Sequence, residues 1–222
     1  MSRPLVLTPE ALDEAFRQVD PLALPDDERI AFWLNAYNAL VTDWLRANPP
    51  RRNMLRELRL FGRAAYRLGE HTYTPDQIEH GLLRRNRRPP FRPRRVLRPG
   101  DTRLLAAPAE FDPRIHFALN CGARSCPPIR RYRAEEIDRQ LEVATASYLR
   151  AEAAVEDERR RIVLPGLMRL YRRDFGTQAD ALRFVAERVP AVEEAQRAGR
   201  TQTVGYARFD WTATQPVEVD ET

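Results

Sequence analysis

The apolar positions of this chain recur mainly at helical spacing, with only brief stretches of alternation. A first helix is predicted over Pro9 to Val19, capped by Thr8, with Leu12, Ala15, Phe16 and Val19 on one stripe. A second begins near Pro25 with Asp26, Asp27 and Glu28 at its positive end, and runs to the break at Pro49-Pro50. Its stripe is Ile30, Trp33, Leu34, Tyr37, Val41, Trp44 and Leu45, with Ala31, Phe32 and Ala39 off it. Between Ile30 and Val41 it is apolar nearly all round, the pattern of a central buried helix. Asn35 and Asn38 interrupt that surface. A buried amide needs partners for its donors and its acceptor, so these asparagines either tie down backbone or face a site.

A short helix is expected around Met54 to Leu60, followed by a hairpin in which Tyr66 to Leu68 and Thr72-Tyr73 flank Gly69-Glu70. Thr74-Pro75-Asp76-Gln77 then supplies a capping box for a helix whose Ile78, Gly81 and Leu82 face the core. On a 3.6-residue wheel Glu79 sits beside that face, and His80 points about 200° away from Ile78. The Arg- and Pro-rich run from Arg84 to Asp101 reads as a long loop, either a solvated excursion or a clamp for an anionic ligand. Arg114 to Leu119 is expected as a strand entering from Pro113, with a turn at Gly122. Beyond it come a long amphipathic helix from Tyr132 to Glu158 and a short strand at Arg161 to Leu164. A helix from Pro165 ended by Gly176, a helix over Gln178 to Arg188 and a last strand over Thr203 to Trp211 complete the pattern. The acidic tail from about 212 is expected to fray. These elements predict one helix-rich α+β domain over residues 1–222 with a small sheet of short strands, in a papain- or transglutaminase-like layout.

Composition changes this picture little. The net charge of +5 could indicate an acidic partner, but all 37 basic side chains are arginines. Together with 18 prolines, that looks like the coding bias of a GC-rich, bacterial-type genome. No recognised nucleic-acid motif accompanies the charge, so nucleic acid is not expected as a partner. No run of eighteen apolar residues suggests a membrane span, and the N-terminus lacks the apolar core of a signal peptide, so a cytoplasmic location is expected. Two cysteines in such a chain argue for chemistry rather than a disulfide framework.

Both cysteines and His116 lie in Asp112 to Pro128, reading DPRIHFALNCGARSCPP. A thiol enzyme needs a thiolate, a histidine that moves a proton and an acceptor that fixes the histidine's tautomer. The chain offers Cys121 or Cys126, His116 or His80, and Glu79 or an asparagine. Backbone amides near Gly122 and Ala123 could converge on an oxyanion. The same Cys121, Cys126, His116 and His80 could instead hold zinc, although the spacing of the cysteines is wider than a zinc knuckle. A third reading is a buried strand with an inert thiol.

WLNAYNAL at Trp33 to Leu40, TPDQIEHGLLR at Thr74 to Arg84, DPRIHFALNCGARSCPPI at Asp112 to Ile129, LPGLMRLYRRDFG at Leu164 to Gly176 and RFDWTAT at Arg208 to Thr214 together resemble the DUF547 family, a domain family of unknown function. The resemblance implies patterned polar positions at Asn35, Asn38, Glu79, His116, Cys121, Ser125 and Cys126. It is similar to a Glu-His-Cys version of the nucleophile-base-orienter triad. The expectation is a cysteine-dependent hydrolase or acyltransferase acting without a cofactor or metal on a small-molecule or peptide substrate. Cys121 attacks a carbonyl, His116 is the acid/base and Glu79 orients it. Asn35, Asn38, Asn120, Ser125, Cys126 and His80 line the substrate site, and Asn35, Asn38 or the loop amides stabilise the oxyanion. The alternative is a non-catalytic interaction domain whose polar cluster braces its core.

Overall fold

The structure is a computed structural model that describes residues 5–7, 16, 18–49, 52–55, 61–62, 64–90, 92–215 and 218–219. The predicted helices at Pro9 to Val19 and Met54 to Leu60 lie largely outside those residues. The helix-rich α+β class holds, with two three-stranded sheets in place of a single small one. In the first, β1 (Leu5–Leu7) runs parallel to β2 (Ala64–Leu68), which pairs antiparallel with β3 (His71–Tyr73) through the predicted hairpin. In the second, β4 (Ala154–Glu156) is antiparallel to β5 (Arg161–Leu164), and β5 is parallel to β6 (Thr203–Tyr206). No helix among the described residues is long and apolar enough to cross a membrane.

Helix α1 (Asp26–Ala47) is the central buried helix that its apolar circumference predicts. Trp33, Leu34, Leu40 and Val41 are fully enclosed, each contributing roughly 1.5–3 kcal/mol of burial. Its polar interruptions tie down the chain that passes over it. Asn35 donates to the Tyr132 carbonyl at 2.8 Å and accepts from the Tyr132 amide at 2.9 Å. Asn38 donates to the Ala118 carbonyl at 2.9 Å and accepts from the Asn120 amide at 3.1 Å. Each side chain thus serves as a strand-like partner for backbone that has no sheet of its own.

Helix α2 (Ile137–Glu152), α3 (Gly166–Leu170), α4 (Gln178–Ala186) and α5 (Pro190–Arg197) follow in order. The last, started by Pro190, extends the helical region beyond its predicted end at Arg188. Two apolar cores result, one around α1 and one around β5 and α3 to α5.

Several segments differ from expectation: the helix expected to run to Glu158 ends at Glu152 and gives way to β4, the helix from Pro165 breaks into α3 and a 3-10 turn at Arg172–Asp174, and the last strand ends at Tyr206. Pro113–Phe117 is a 3-10 helix, because Asp112 accepts from the Arg114 amide at 2.8 Å and Pro113 fixes the first turn. This turn places Ile115 in one core and Phe117 in the other, with His116 at the seam. Within the tail expected to fray, Thr212 to Thr214 is held by backbone. Arg124 donates to the Thr212 carbonyl, and Thr214 donates to the Gly122 carbonyl, both at 2.9 Å.

Replacing Asn38 with Ala strands a buried carbonyl and a buried amide, so the variant is expected to lose about 2–4 kcal/mol in urea unfolding. A loss within error of zero would mean that Asn38 does not clamp this segment.

Candidate active site

The site is built where the segment after Thr74 meets the Asp112 to Pro128 chain. The Thr74 capping box forms as predicted, with Gln77 donating to Thr74 Oγ1 at 3.2 Å and Thr74 donating to Gln77 Oε1 at 3.1 Å. Gln77–Leu83 then winds as a π-helix. Arg84 donates to the Glu79 carbonyl and Asn86 to the Gly81 carbonyl, five residues back in each case, both at 2.8 Å. At more than four residues per turn, the 3.6-residue wheel no longer applies. His80, expected to point away from the core, is buried beside Glu79.

Two networks radiate from Arg84, itself only 3% exposed. Its Nε donates to Asp174 Oδ2 at 2.7 Å, and its Nη1 donates to His80 Nδ1 at 3.0 Å and to the Arg88 carbonyl at 3.2 Å. Asp174 also accepts from His116 Nε2 at 2.9 Å and from Arg87 at 3.1 Å. Burial works against the Asp174 anion, yet the bonds from His116 and Arg84 hold its carboxyl well below the usual range. An ionised Asp174 can only accept, so His116 carries its proton on Nε2 and presents Nδ1 as a lone pair. The same reasoning puts the His80 proton on Nε2, which faces Asp76 at 3.9 Å. Burial keeps both imidazoles below their ordinary value.

Glu79 is the expected partner of His116, but Asp174 takes that position. Glu79 instead accepts from the Tyr171 hydroxyl at 2.5 Å and lies 3.4 Å from His80 Nδ1. Burial opposes its ionisation, but the Tyr171 hydroxyl and the Arg84 guanidinium favour the carboxylate, and it lies below its ordinary value. The Tyr171 ring stacks on His116 at 3.8 Å between centroids, so the carboxylate and the imidazole meet through this tyrosine. Burial, then the charge of Glu79, push Tyr171 and Tyr37 far up, so both keep their hydroxyl protons.

The cysteines sit on a loop closed from within. Asn120 donates to the Pro127 carbonyl at 2.6 Å and accepts from the Gly122 amide at 2.7 Å. Gly122 has φ +83°, and a Cβ there would meet Leu45 Cδ1 at 2.6 Å, so the predicted turn requires glycine. The two sulfurs lie 2.9 Å apart, and Cys126 Sγ also accepts from the Cys121 amide at 3.2 Å. The bond to Cys126 and burial push the Cys121 thiol well up. Burial acts against a Cys126 thiolate too, but the Cys121 thiol and amide, with the Ala123 amide alongside, outweigh it and lower Cys126. The thiols are hydrogen-bonded to each other, and among the described residues no histidine is hydrogen-bonded to either.

Cys121, Cys126, His80, His116, Glu79, Tyr37 and Tyr171 all line one cavity of about 440 Å³, with Phe209 and Trp211 among its apolar walls. Asn35, Asn38, Asn120 and Ser125 are not in that wall. The first three bind backbone, and Ser125 accepts from the Asp210 amide at 2.9 Å. Among the described residues no group of three His, Cys, Asp or Glu side chains is arranged to hold a metal, so the zinc set is not assembled.

The family model described as protein of unknown function, DUF547, matches residues 21–149, more than half of the chain. The chain belongs to the DUF547 family. No curated protein and no solved structure matches it. The DUF547 match contains Glu79, His80, Arg84, His116 and both cysteines, whereas Tyr171 and Asp174 lie beyond it. Both residues lie in the family-like LPGLMRLYRRDFG segment, where the sequence pattern assigns neither a role. The available signal was their spacing of three on a short helical turn, which puts both on one face. Arg84 was hidden in an arginine run.

Two measurements follow from this electrostatic arrangement. His80 and His116 are held neutral in the fold but take up protons near pH 6.5 when unfolded, so their contribution is complete above that pH and is lost as pH falls below it. The urea midpoint should therefore decline from pH 7.5 to 5.5, and the decline should flatten in a His80→Asn/His116→Asn double variant; an unchanged slope would sink the assignment. Mild peroxide should convert both thiols to one intramolecular disulfide. The Cys126 thiolate forms a sulfenic acid that Cys121 displaces with loss of water, giving a mass two hydrogens lower that dithiothreitol restores. Stable overoxidation without a disulfide would contradict the sulfur contact.

Proposed function

We propose that this protein is a cysteine-dependent hydrolase or acyltransferase whose reacting carbonyl sits in the cavity shared by the two thiols and His116. The observation that carries this reading is the convergence of a hydrogen-bonded thiol pair, a carboxylate-oriented imidazole and two protonated tyrosines on one cavity. Cys126 is the attacking sulfur, since three donors favour its thiolate, and Cys121 supplies two of them. Attack forms a carbon–sulfur bond and a tetrahedral oxyanion. Collapse expels the leaving group, which takes a proton from the site, and leaves a thioester for water or a second acceptor to resolve. His116 is the acid/base, acting through Nδ1 while Asp174 fixes its tautomer. Glu79 acts as a positioning residue, holding the Tyr171 ring against His116. Tyr37, which lines the cavity and keeps its hydroxyl proton, is the donor for the oxyanion in place of Asn35 and Asn38, whose amides bind backbone.

Iodoacetamide labelling across pH tests the core of this reading. One thiol should react with an apparent pKa below about 8.5, and that phase should vanish in Cys126→Ser and shift upward in Cys121→Ser. His116→Ala should lower the turnover of activated thioesters by about a hundredfold or more while Cys126 still labels. If neither thiol labels in the folded protein, the enzyme reading fails and the interaction-domain reading replaces it.

A further inference from the structure

A second concavity of about 430 Å³ adjoins the thiol cavity and shares Pro89, Pro90, Arg92, Leu170 and Tyr171 with it. Its wall brings together arginines from two distant segments: Arg84, Arg88 and Arg92 from the arginine-rich run, and Arg172 and Arg173 from the turn after α3. Two of these are committed. Arg84 is bound to Asp174, and Arg92 is paired with Asp76. Arg88, Arg172 and Arg173 are exposed, and none pairs with a carboxylate among the described residues. Their neighbour Asp174 is already shared by Arg84, Arg87 and His116, and Asp76 by Arg92 and His80, so the local acids are spent.

Like charges gathered in a recess repel one another, and nothing in the apolar packing requires them there. Guanidinium groups are weakly hydrated and offer paired donors that match the oxygens of a phosphate or a carboxylate. A dianion in the recess would relieve the repulsion and satisfy the fork-shaped donors together. We infer that this recess is an oxyanion subsite of the substrate, so that the substrate class is an acyl compound carrying a phosphate or carboxylate group. Arg88, Arg172 and Arg173 grip the anionic end while the carbonyl lies across the Tyr171 and Pro89-Pro90 partition, next to the sulfurs. The inference rests on the proposed function for the identity of the neighbouring cavity. The arginine-rich run, open to two readings from sequence, becomes the wall between the two chambers.

Thermal-shift titration with inorganic phosphate, and separately with citrate, tests this against sodium chloride at matched ionic strength. Phosphate or citrate should raise the melting temperature beyond chloride, and an Arg172→Ser/Arg173→Ser double variant should bind about tenfold more weakly or worse. Arg88→Ser should weaken binding independently. These side chains are exposed and unpaired, so the variants should keep the wild-type melting temperature without anion. A response to phosphate alone assigns a phosphoryl group, a response to citrate alone assigns a carboxylate, and a response to both supports the shared chemistry. The Cys126→Ser protein should bind as wild type does, so an inert thiol with intact anion binding would overturn only the enzyme reading. Shifts equal to those in chloride, or equal in wild type and both arginine variants, would overturn the subsite.

Discussion

The buried guanidinium of Arg84 is the interaction on which the rest of the site depends. It ends the π-helix, bonds Asp174 from the segment after α3, and donates to His80 one turn behind it. A buried charge is tolerable only when paired and fully hydrogen-bonded, and removing one partner leaves the other uncompensated. Arg84 therefore obliges Asp174 to be ionised, and the ionised Asp174 fixes the His116 tautomer. The orientation of the candidate acid/base is thus set from a residue that does not itself touch the thiols.

A second constraint is the way the loop of the two cysteines is held. It has no sheet of its own, so its backbone is satisfied from three directions: by Asn38 on α1, by its own Asn120, and by the Thr212 to Thr214 segment. Gly122 makes the turn, and the Leu45 side chain fills the space where its Cβ would be. This bracing brings two sulfurs into contact although no secondary-structure element carries either. It also explains why the family's asparagines are polar inside an apolar helix without lining the cavity.

Much of this was legible in the sequence, and the misses share a physical cause. The central helix, the hairpin, the Thr74 capping box and β5 follow from periodicity and local capping, which act over a few residues. His80 was misplaced because one extra residue per turn cannot be read from a pattern that fits a 3.6-residue wheel. The strand expected at Arg114 to Leu119 gave way to a 3-10 turn because the Asp112 cap and Pro113 outweigh the alternation of Ile115, Phe117 and Leu119. The residues that complete the site are joined to it from far along the chain, Asp174 to Arg84 across 90 positions and to His116 across 58, and Tyr171 to Glu79 across 92. Such pairings belong to tertiary structure, and no local pattern distinguishes Arg84 from the arginines around it.

The electrostatics also limit how the thiolate can be stabilised. Neither imidazole is cationic at neutral pH, and Glu79 is an anion whose field raises both cysteines and both tyrosines. An imidazolium–thiolate pair is therefore the wrong description of the resting site. What lowers Cys126 is a set of short-range dipoles, from one amide and one thiol of Cys121 and from the Ala123 amide, acting where water is scarce. Those dipoles are fixed by the Gly122 turn, so reactivity at sulfur is tied to the shape of the loop rather than to the protonation of His116. In the proposed enzyme, substitutions at Asp174 or Arg84 should thus act on proton transfer, whereas changes at Gly122 or Asn120 should act on the thiolate itself.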